Sequence, residues 1–357
     1  MQQYEVKVTK IKDLSGVKEE FVIPPGLVPS CHAPSICQLS TGEILVCCYS
    51  GLREGSPDSV IIGRRFNPHR NKWSLPEIWV NVPQRAPANP RLFIGPDGVL
   101  WLLVGINYGK WCSGDTYLFL KRSFDNGKTW TDLELFLPVR GLLGRNKPLH
   151  FKNLWIIPVE RERSWSATFI RSEDGGKSWQ IVGDLGKSAN VRVIQPALVM
   201  LDDGKLVAYM RSQEGYVFSS CSEDLGKTWS IPQPTPLPNN NSGLDVHYIK
   251  QFGLLVLAYN PVGLAASPDL ITEQWPSPLP TGFVRWGPRT PLVLDFSSDG
   301  GRTWRWRIIL EEGEGEYSYP YIIEAIDGSL HIVYTFNRIA IKHVVIPLNI
   351  ILYLCGS

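Results

Sequence analysis

The chain contains 357 residues, of which 43% are hydrophobic and 20% are charged, and its formal net charge is only +2. This balance is typical of an ordinary globular protein and gives no electrostatic reason to expect binding to nucleic acid or to a membrane surface. The length would allow two domains, but one closed array of repeats can also reach it, and we expect residues 1–357 to form a single domain.

The amino-terminal segment MQQYEVKVTKIKDLSG lacks the apolar core of a signal peptide. We therefore expect a cytoplasmic protein, with secretion after removal of a leader left open. Either YEVKVTKI or the following EEFVIPP is expected to form the outer strand of the last sheet, which would leave that sheet without a free edge.

Short apolar runs, each started by a glycine that closes a turn, recur along the chain. They include GEILVCCYS, GVLWLLVGI, GKLVAYMRS and GSLHIVYTF, which are rich in β-branched and aromatic residues. No stretch maintains a helical period over more than two turns. Units of this kind begin near residues 42, 98, 150, 204, 252 and 328, so the sequence predicts an all-β chain made of six similar sheets.

A second repeat consists of the polar turns RSFDNGKTW, RSEDGGKSW, CSEDLGKTW and FSSDGGRTW. Their aspartates are Asp125, Asp174, Asp224 and Asp299, and a spacing of about 50 residues, with one longer interval, indicates a repeat architecture. Ser and Asp side chains can bond the backbone of their own turn, Gly supplies a positive φ, and Trp anchors the hairpin in an apolar layer. The turn is a folding device, and together with the six units it predicts a six-bladed β-propeller.

Three irregular segments fit this architecture. RRFNPHRNKW keeps Trp73 at the anchor position without the other turn residues, which indicates a degenerate copy. The Pro-rich stretch 264–290, with Arg285 and Trp286, is predicted to be an inserted loop that covers the propeller mouth or contacts a second subunit. The apolar tail 347–357 is too short to cross a bilayer, and we expect it to pack against the propeller or a partner.

The seven cysteines show no paired spacing of the kind that binds metal. The adjacent Cys47 and Cys48 would point to opposite faces of a strand. We expect reduced thiols rather than disulfides or a zinc site, and no metal or other cofactor.

Four such turns, known as Asp-boxes, on a six-unit β chain resemble the sialidase (neuraminidase) superfamily over nearly the whole length. Fragments such as HAPS, REGSPD, NKP, IQP and NSGLD are most similar to the divergent sialidase-like branch of BNR-repeat proteins. The resemblance implies an exo-acting glycoside hydrolase that removes a terminal acidic sugar, such as a sialic, nonulosonic or ulosonic acid. The turn alone says little about function, because it also occurs in propellers that only bind or scaffold.

In sialidases three arginines grip the substrate carboxylate, and the first belongs to an Arg-Ile-Pro signature. At the corresponding place this chain reads Cys-His-Ala-Pro, so His32 stands where the family has arginine. The resemblance assigns the other two places to Arg211, after GKLVAYM, and Arg338, after GSLHIVYTFN. Histidine cannot reproduce a bidentate bond to a carboxylate, which favours a smaller or differently placed acid group.

The resemblance also implies catalytic residues. Asp58, in SGLREGSPDSVIIGRRF, matches the acid/base aspartate of the family, with Glu54 as the reserve carboxylate. The alternative is that Asp58 is only a turn residue. Tyr317 matches the nucleophilic tyrosine, and Tyr319, two residues on, would share its face of a strand. As an alternative, both tyrosines merely line a channel.

A tyrosine nucleophile needs a base, since its unperturbed pKa is about 10. The glutamate that serves in sialidases is matched here by Gln195, which cannot accept the proton. Glu160, at the end of LWIIPVE, is the leading replacement, while Glu316 and Glu324 are weaker candidates. Without a base, an inverting or histidine-assisted route through Asp58, Glu160 or His32 is expected instead.

Several polar residues lie around the point where successive units would meet at one mouth. Their number favours a sugar pocket, since hydroxyl and carboxylate groups need several oriented donors, although polar residues there can also solvate a channel. The group comprises Asn89, Arg91, Asn146, Lys147, Gln195, Asn241, Ser242, Asp245 and Tyr319. We expect the substrate-binding residues to be Arg91, Lys147, Gln195, Asp245 and Glu54, in addition to Arg211 and Arg338.

Two other functions stay open. A carbohydrate-binding or scaffold propeller would keep the turns without bringing Asp58 and Tyr317 together over one pocket. A lyase, or a glycosidase acting on a sugar next to a uronate, would use His32 and a tyrosine as acid and base. In each case the expected partner is a glycan, and the sequence is compatible with an oligomer.

Overall fold

The structure is a computed structural model that describes residues 5–109, 113–265 and 286–356. These residues form 27 strands, two short α-helices and three 3-10 turns, which confirms the all-β prediction. The predicted inserted loop at 264–290, including Arg285, lies largely outside the described residues.

The strands fall into six consecutive groups, preceded by β1 (Lys7–Lys10) and β2 (Lys18–Ile23). Group 1 comprises β3 (Cys31–Gln38), β4 (Ile44–Ser50), β5 (Val60–Asn67), β6 (Lys72–Trp73) and β7 (Glu77–Val80). Group 2 comprises β8 (Ala86–Ile94), β9 (Leu100–Asn107), β10 (Thr116–Ser123) and β11 (Glu134–Leu135). Group 3 comprises β12 (Leu142–Leu143), β13 (Leu149–Phe151), β14 (Leu154–Arg161), β15 (Ser166–Ser172) and β16 (Gln180–Val182).

Group 4 comprises β17 (Val193–Met200), β18 (Leu206–Ser212), β19 (Tyr216–Ser222) and β20 (Gln233–Pro238). Group 5 comprises β21 (Asp245–Ile249), β22 (Leu254–Tyr259), β23 (Leu292–Ser297) and β24 (Trp306–Glu311). Group 6 comprises β25 (Tyr317–Glu324), β26 (Leu330–Phe336) and β27 (Ala340–Ile346). The helices are α1 (Leu185–Ala189) and α2 (Leu348–Cys355), and the 3-10 turns are Ile11–Asp13, Glu162–Ser164 and Lys250–Phe252.

Each group is an antiparallel sheet in which strands adjacent in sequence pair with one another, except that β7 pairs with β5 and β12 pairs with β14. Groups 3 and 4 are joined by a single parallel pair, Ser166 with Val193. The two amino-terminal strands complete the last two groups: β1 pairs in parallel with β24, and β2 pairs antiparallel with β27. Strand β2, within the predicted segment EEFVIPP and its preceding lysine, therefore forms the outer strand of the last sheet, whereas β1, within YEVKVTKI, belongs to the fifth.

Six large hydrophobic clusters each join two consecutive groups. The clusters pack group 1 against group 2, group 2 against 3, group 3 against 4, group 4 against 5 and group 5 against 6. The sixth packs Tyr321 and Val333 of group 6 against Ile36 and Val46 of group 1. The core is thus divided among the interfaces between groups, and the last group packs against the first.

The repeated turn has the same hydrogen bonds in all four copies. In the first, the Ser123 hydroxyl donates to Asp125 at 2.8 Å, and the Asp125 carboxylate accepts the Thr129 N–H at 2.9 Å. The other copies repeat this pattern around Asp174, Asp224 and Asp299. Each terminal Trp packs into the cluster that its own group shares with the preceding one, and Trp304 is only 1% exposed. The turn therefore fastens groups 2, 3, 4 and 5 each to the preceding group.

The apolar tail forms α2, which buries Ile351 and Cys355 against groups 5 and 6. No helix within the described ranges is both long and apolar enough to cross a membrane. The six cysteines of the described ranges are free thiols, and five of them are buried.

Candidate functional site

A bulge interrupts the first strand of four groups at equivalent places. The register shifts between His32 and Ser35, Ala88 and Arg91, Ile194 and Ala197, and Ser318 and Tyr321. Inside each bulge one residue has a left-handed backbone and precedes a proline: Ala33, Asn89, Gln195 and Tyr319, with φ of 53°, 47°, 53° and 55°. Such a conformation is costly for residues other than glycine and concentrates at functional sites. The bulge turns the side chain of that residue out of the regular strand alternation.

Three of these four residues line one pocket, whose empty volume of about 580 Å³ includes space open to solvent. All six groups contribute to it. The polar lining consists of Glu54, Asn89, Glu160, Glu162, Gln195, Arg211, Arg289 and Tyr319. The apolar wall consists of Leu143, Trp165, Ile194 and Trp286. Residues far apart in the sequence, such as Glu54 and Tyr319, therefore share one cavity, as the sequence analysis expected of a common mouth.

Arg211 and Tyr319 form the direct contact at the centre of this pocket. Arg211 is the penultimate residue of β18, and its Nη1 donates to the Tyr319 hydroxyl at 2.7 Å. The guanidinium also lies over the Trp165 and Tyr319 rings, 5.5 and 5.7 Å from their centroids. Arg211 Nε is buried and has no hydrogen-bond partner among the described residues. The Nη1 atom of Arg211 is thus bonded within the protein, while Nε has no hydrogen-bond partner among the described residues.

Glu160 is the pocket carboxylate with the most perturbed titration. It lies near the end of β14 and is 2% exposed, and its Oε2 has no hydrogen-bond partner within the described ranges. Burial raises the pKa of Glu160 to about 7, and Glu162 adds to the rise, while Arg211 and Arg91 oppose it. A carboxyl group with a pKa near neutrality can give or take a proton at physiological pH.

A second arginine cluster lies beside the pocket around Glu316. Arg289 Nη1 donates to Glu316 at 2.6 Å, and Arg338 Nε lies 3.0 Å from both carboxylate oxygens. Arg338 Nη1 donates to Glu54 at 2.5 Å. Burial alone would raise the pKa of Glu316, but Arg289 and Arg338 outweigh it and lower the pKa to about 2. Arg338 thus reaches the pocket through Glu54 and is not part of its lining.

His32 lies behind Tyr319. Its ring centroid is 4.2 Å from that of Tyr319, and its Nδ1 is 2.9 Å from the Thr335 hydroxyl. Burial, reinforced by the nearby charges of Arg338 and Arg289, lowers the pKa of His32 well below its usual value. His32 is therefore uncharged at neutral pH and packs against the tyrosine ring.

Three residues predicted to bind substrate connect the groups beneath the pocket. Arg91 is fully buried and donates to the Pro158 carbonyl at 2.8 Å, and burial lowers its pKa to about 10. Lys147 donates to Asp245 at 2.6 Å, and Asp245 also accepts the Ile322 N–H at 2.8 Å. The Arg91 and Asp245 bonds to backbone atoms each join one group to the next, whereas the Lys147–Asp245 bond joins group 3 to group 5.

Asp58 and Tyr317 lie outside the pocket. Asp58 is exposed in the loop between β4 and β5, where it accepts bonds from the Leu52 N–H and the Ser56 hydroxyl. Tyr317 donates to the Glu314 carbonyl at 3.0 Å and packs on Phe336. The expected shared face of the two tyrosines is absent because the bulge lies between them, so only Tyr319 faces the pocket. Asp58 has the hydrogen bonds of the turn residue considered as the alternative.

The weaker base candidates also have other partners. Glu324 contacts His247 at 2.9 Å, away from the pocket, and Glu316 is held by its two arginines. The sequence analysis missed Arg289, which follows the predicted insertion, and Arg145. Arg145 donates to the carbonyls of Leu244 and Pro320 and lies 4.9 Å from the Tyr319 ring centroid. Arg145 directly precedes Asn146 in GRNKP, and this position next to a predicted residue of the mouth could have identified it.

Residues 42–332 match the family model described as BNR repeat-like domain. A curated relative, the anhydrosialidase of Macrobdella decora, is 24% identical over 237 residues. The match covers 61% of this chain, which spans only 29% of the length of that relative.

Solved sialidase structures share the fold. Hadza microbial sialidase Hz136 has a TM-score of 0.73 at 16% identity, covering 93% of this chain and 68% of that chain. The NanB sialidase from Streptococcus pneumoniae has a TM-score of 0.70 at 12% identity, covering 93% of this chain and 71% of that chain. The resemblance found in the sequence is therefore confirmed for the family and the fold.

Proposed function

The chain belongs to the BNR repeat-like domain family, and on that premise we propose that it is an exo-acting glycoside hydrolase that removes a terminal acidic sugar from a glycan. The sugar we propose is a sialic, nonulosonic or ulosonic acid. One observation carries the proposal: Glu160 and Tyr319 line the same pocket, and the guanidinium of Arg211 acts on both.

We infer that the six groups are the blades of a closed propeller. Packing of group 6 against group 1, together with the pairing of β2 with β27, supports this closure. Val22 and Ile23 of β2 are 0% and 2% exposed at that junction. Replacing both with Asp is expected to unfold the whole domain in one transition, because it opens the ring at its seam. Loss of only local structure, followed by circular dichroism and proteolysis, would argue against closure.

Glu160 is the proposed proton donor to the departing glycosidic oxygen. A buried carboxyl group whose pKa is near 7 remains partly protonated at neutral pH, which a general acid needs. Tyr319 is the proposed nucleophile, with its oxygen held by Arg211 at 2.7 Å. A guanidinium bonded to that oxygen favours the negative charge that develops on it before attack. The Tyr319 hydroxyl proton leaves to solvent, and the phenolate oxygen bonds the anomeric carbon as the bond to the departing oxygen breaks and that oxygen takes the proton of Glu160. The Glu160 carboxylate then accepts a proton from the water that hydrolyses the glycosyl-tyrosine intermediate.

The rest of the pocket matches the needs of a sugar. Asn89, Gln195 and the free edge of Arg211 are donors and acceptors for hydroxyl and acid groups, and Trp165 supplies an apolar face. We propose that Arg91, Lys147 and Asp245 support the site from beneath, while Arg338 orients Glu54.

The test is turnover of fluorogenic sialic and ulosonic acid glycosides by the purified protein and matched variants. Glu160→Gln and Tyr319→Phe are each expected to reduce kcat by about a hundredfold or more, the usual effect of removing a positioned proton donor or nucleophile. Tyr317→Phe is the control, because it removes the same atom from a ring whose hydroxyl bonds only a backbone carbonyl. Equal losses in the two tyrosine variants would reject Tyr319 as the nucleophile.

A non-catalytic carbohydrate-binding propeller is the second candidate. The position of Asp58 favours it, since the expected acid/base residue is bonded within its own loop and does not line the pocket. On this alternative no glycoside is turned over, and calorimetry still detects glycan binding in Glu160→Gln.

A further inference from the structure

Glu316 forms a carboxylate clamp with two arginines that come from different groups. Arg289 precedes β23 and Arg338 follows β26, yet both reach the same carboxylate, at 2.6 Å and at 3.0 Å. The Ser318 hydroxyl donates to Glu316 at 3.0 Å and lies 3.4 Å from Arg289 Nη1. Two guanidinium groups and a hydroxyl around one carboxylate resemble a binding site for an acid, except that the acid is the protein's own.

The clamp is electrically satisfied before any ligand arrives. Arg289 and Arg338 hold the pKa of Glu316 at about 2, so this carboxylate is ionised at neutral pH. Arg338 has a second carboxylate partner in Glu54, so two carboxylates balance two guanidinium groups. A further carboxylate at Arg289 and Arg338 would lie next to Glu316 and would be repelled by it.

Arg211 differs from this pair. Its hydrogen-bond partner is the uncharged hydroxyl of Tyr319, and none of the described carboxylates forms an ion pair with it. Its Nε is buried and unpartnered in a residue that lines the pocket. Arg211 is therefore the pocket arginine whose charge remains available to a ligand.

We propose that Glu316 is a specificity residue that occupies Arg289 and Arg338, so that the substrate's acid group is read by Arg211 alone. This inference rests on the proposed glycosidase function and narrows its substrate class. The preferred sugar carries one carboxylate that needs a single guanidinium contact, and the corresponding uncharged sugar is disfavoured only moderately.

The measurement is the preference for an acid over its ester. We would compare kcat/KM for the fluorogenic glycoside of a sialic acid with that for its carboxylate methyl ester. One charge-assisted contact gives a preference of roughly ten- to a hundredfold in the unmodified protein. Glu316→Gln is expected to raise that preference by a further factor of about ten, because it releases the Arg289–Arg338 pair. Arg211→Met is expected to bring it close to one.

The triple variant Glu316→Gln, Arg289→Gln, Arg338→Gln is the matched control, because it also removes the two guanidinium groups that Glu316→Gln alone releases. The acid preference of this variant should stay within about threefold of the unmodified protein, since Arg211 is the arginine that reads the substrate acid in both. A collapse of the preference in the triple variant, or no rise in Glu316→Gln, would overturn the inference. If Glu316→Gln fails to fold, which a thermal melt detects, the triple variant decides the matter alone.

Failure of the proposed glycosidase activity gives a different result. If the unmodified protein hydrolyses neither glycoside, calorimetry with a non-hydrolysable sialic acid derivative and its methyl ester gives the same ratio from dissociation constants. If the ratio of dissociation constants rises in Glu316→Gln and comes close to one in Arg211→Met, Glu316 has the proposed role in a protein that binds the sugar without hydrolysing it. A ratio that is independent of Arg211 overturns it.

Discussion

The raised pKa of Glu160 makes the pH profile a direct test of its role. The pKa moves from the usual 4.5 to about 7 because the carboxyl group is buried. If the protonated form acts, kcat/KM falls about tenfold between about pH 6 and about pH 8, as the protonated fraction drops from about nine tenths to about one tenth. Glu160→Gln is expected to remove this alkaline limb as well as most of the rate.

The neighbours of Glu160 should move this limb in predictable directions. Glu162 raises the pKa of Glu160, so Glu162→Gln should shift the midpoint to lower pH. Arg211 lowers it, so Arg211→Met should shift the midpoint to higher pH in whatever activity remains. Rates measured over a pH series with a fluorogenic substrate supply both midpoints. A rate that rises through pH 7 would refute the donor role and indicate a base.

The raised pKa of Glu160 also affects the stability of the fold. Carboxyl groups with lowered pKa values lose stabilisation as the pH falls, whereas Glu160 loses it as the pH rises. A folded-state pKa above the unfolded value means that the stabilising contribution is complete below about pH 4.5 and is lost as the pH rises through about 7. Burying the ionised form above pH 7 costs on the order of 3 kcal/mol. Glu160→Gln should therefore raise the melting temperature at pH 8 although it removes most of the turnover. An unchanged melting temperature would show that the carboxylate is not buried as described.

Three further outcomes are expected. Glu54→Gln should reduce turnover more than Asp58→Asn, because only Glu54 lines the pocket; parallel assays of kcat/KM decide this. Trp304→Ala should lower the free energy of unfolding by about 3–5 kcal/mol, measured in urea, since the indole is 1% exposed between groups 4 and 5. His331, whose pKa burial lowers to about 4, must charge on acidification, so melting temperatures should fall from about pH 6.5 towards about pH 4, and less steeply in His331→Gln.

The strands and the repeated turns could be predicted from the sequence because their signals are local. Period-two apolar runs, glycines that close turns, and a serine, an aspartate and a tryptophan at fixed spacing each act within a few residues. Trp73 packs between groups 6 and 1 although the rest of its turn motif is lost. The tryptophan alone was therefore enough to predict the anchor of a degenerate copy.

The site could be predicted only in part, because the bulges change which face a residue occupies. Regular alternation put Tyr317 and Tyr319 on one face, but the register shift after Ser318 sends one ring into the core and the other into the pocket. Arg145 and Arg289 went unnoticed since long side chains reach across groups, and a one-dimensional pattern does not encode that reach. A polar residue directly before a proline, as at Asn89, Gln195 and Tyr319, is the sequence feature that best marks the residues lining the pocket.

Residues at the equivalent bulges line the pocket, while other polar residues of the first strands bond neighbouring groups. At the left-handed position, Asn89, Gln195 and Tyr319 line the pocket, whereas Ala33 does not. Arg91 and Asp245 instead bond the backbone of the next group, so their polar side chains connect neighbouring groups. A substitution at a left-handed position can therefore alter the pocket without breaking the bonds between groups. The residues that line the pocket can therefore change while the hydrophobic clusters and the bonds between groups stay the same.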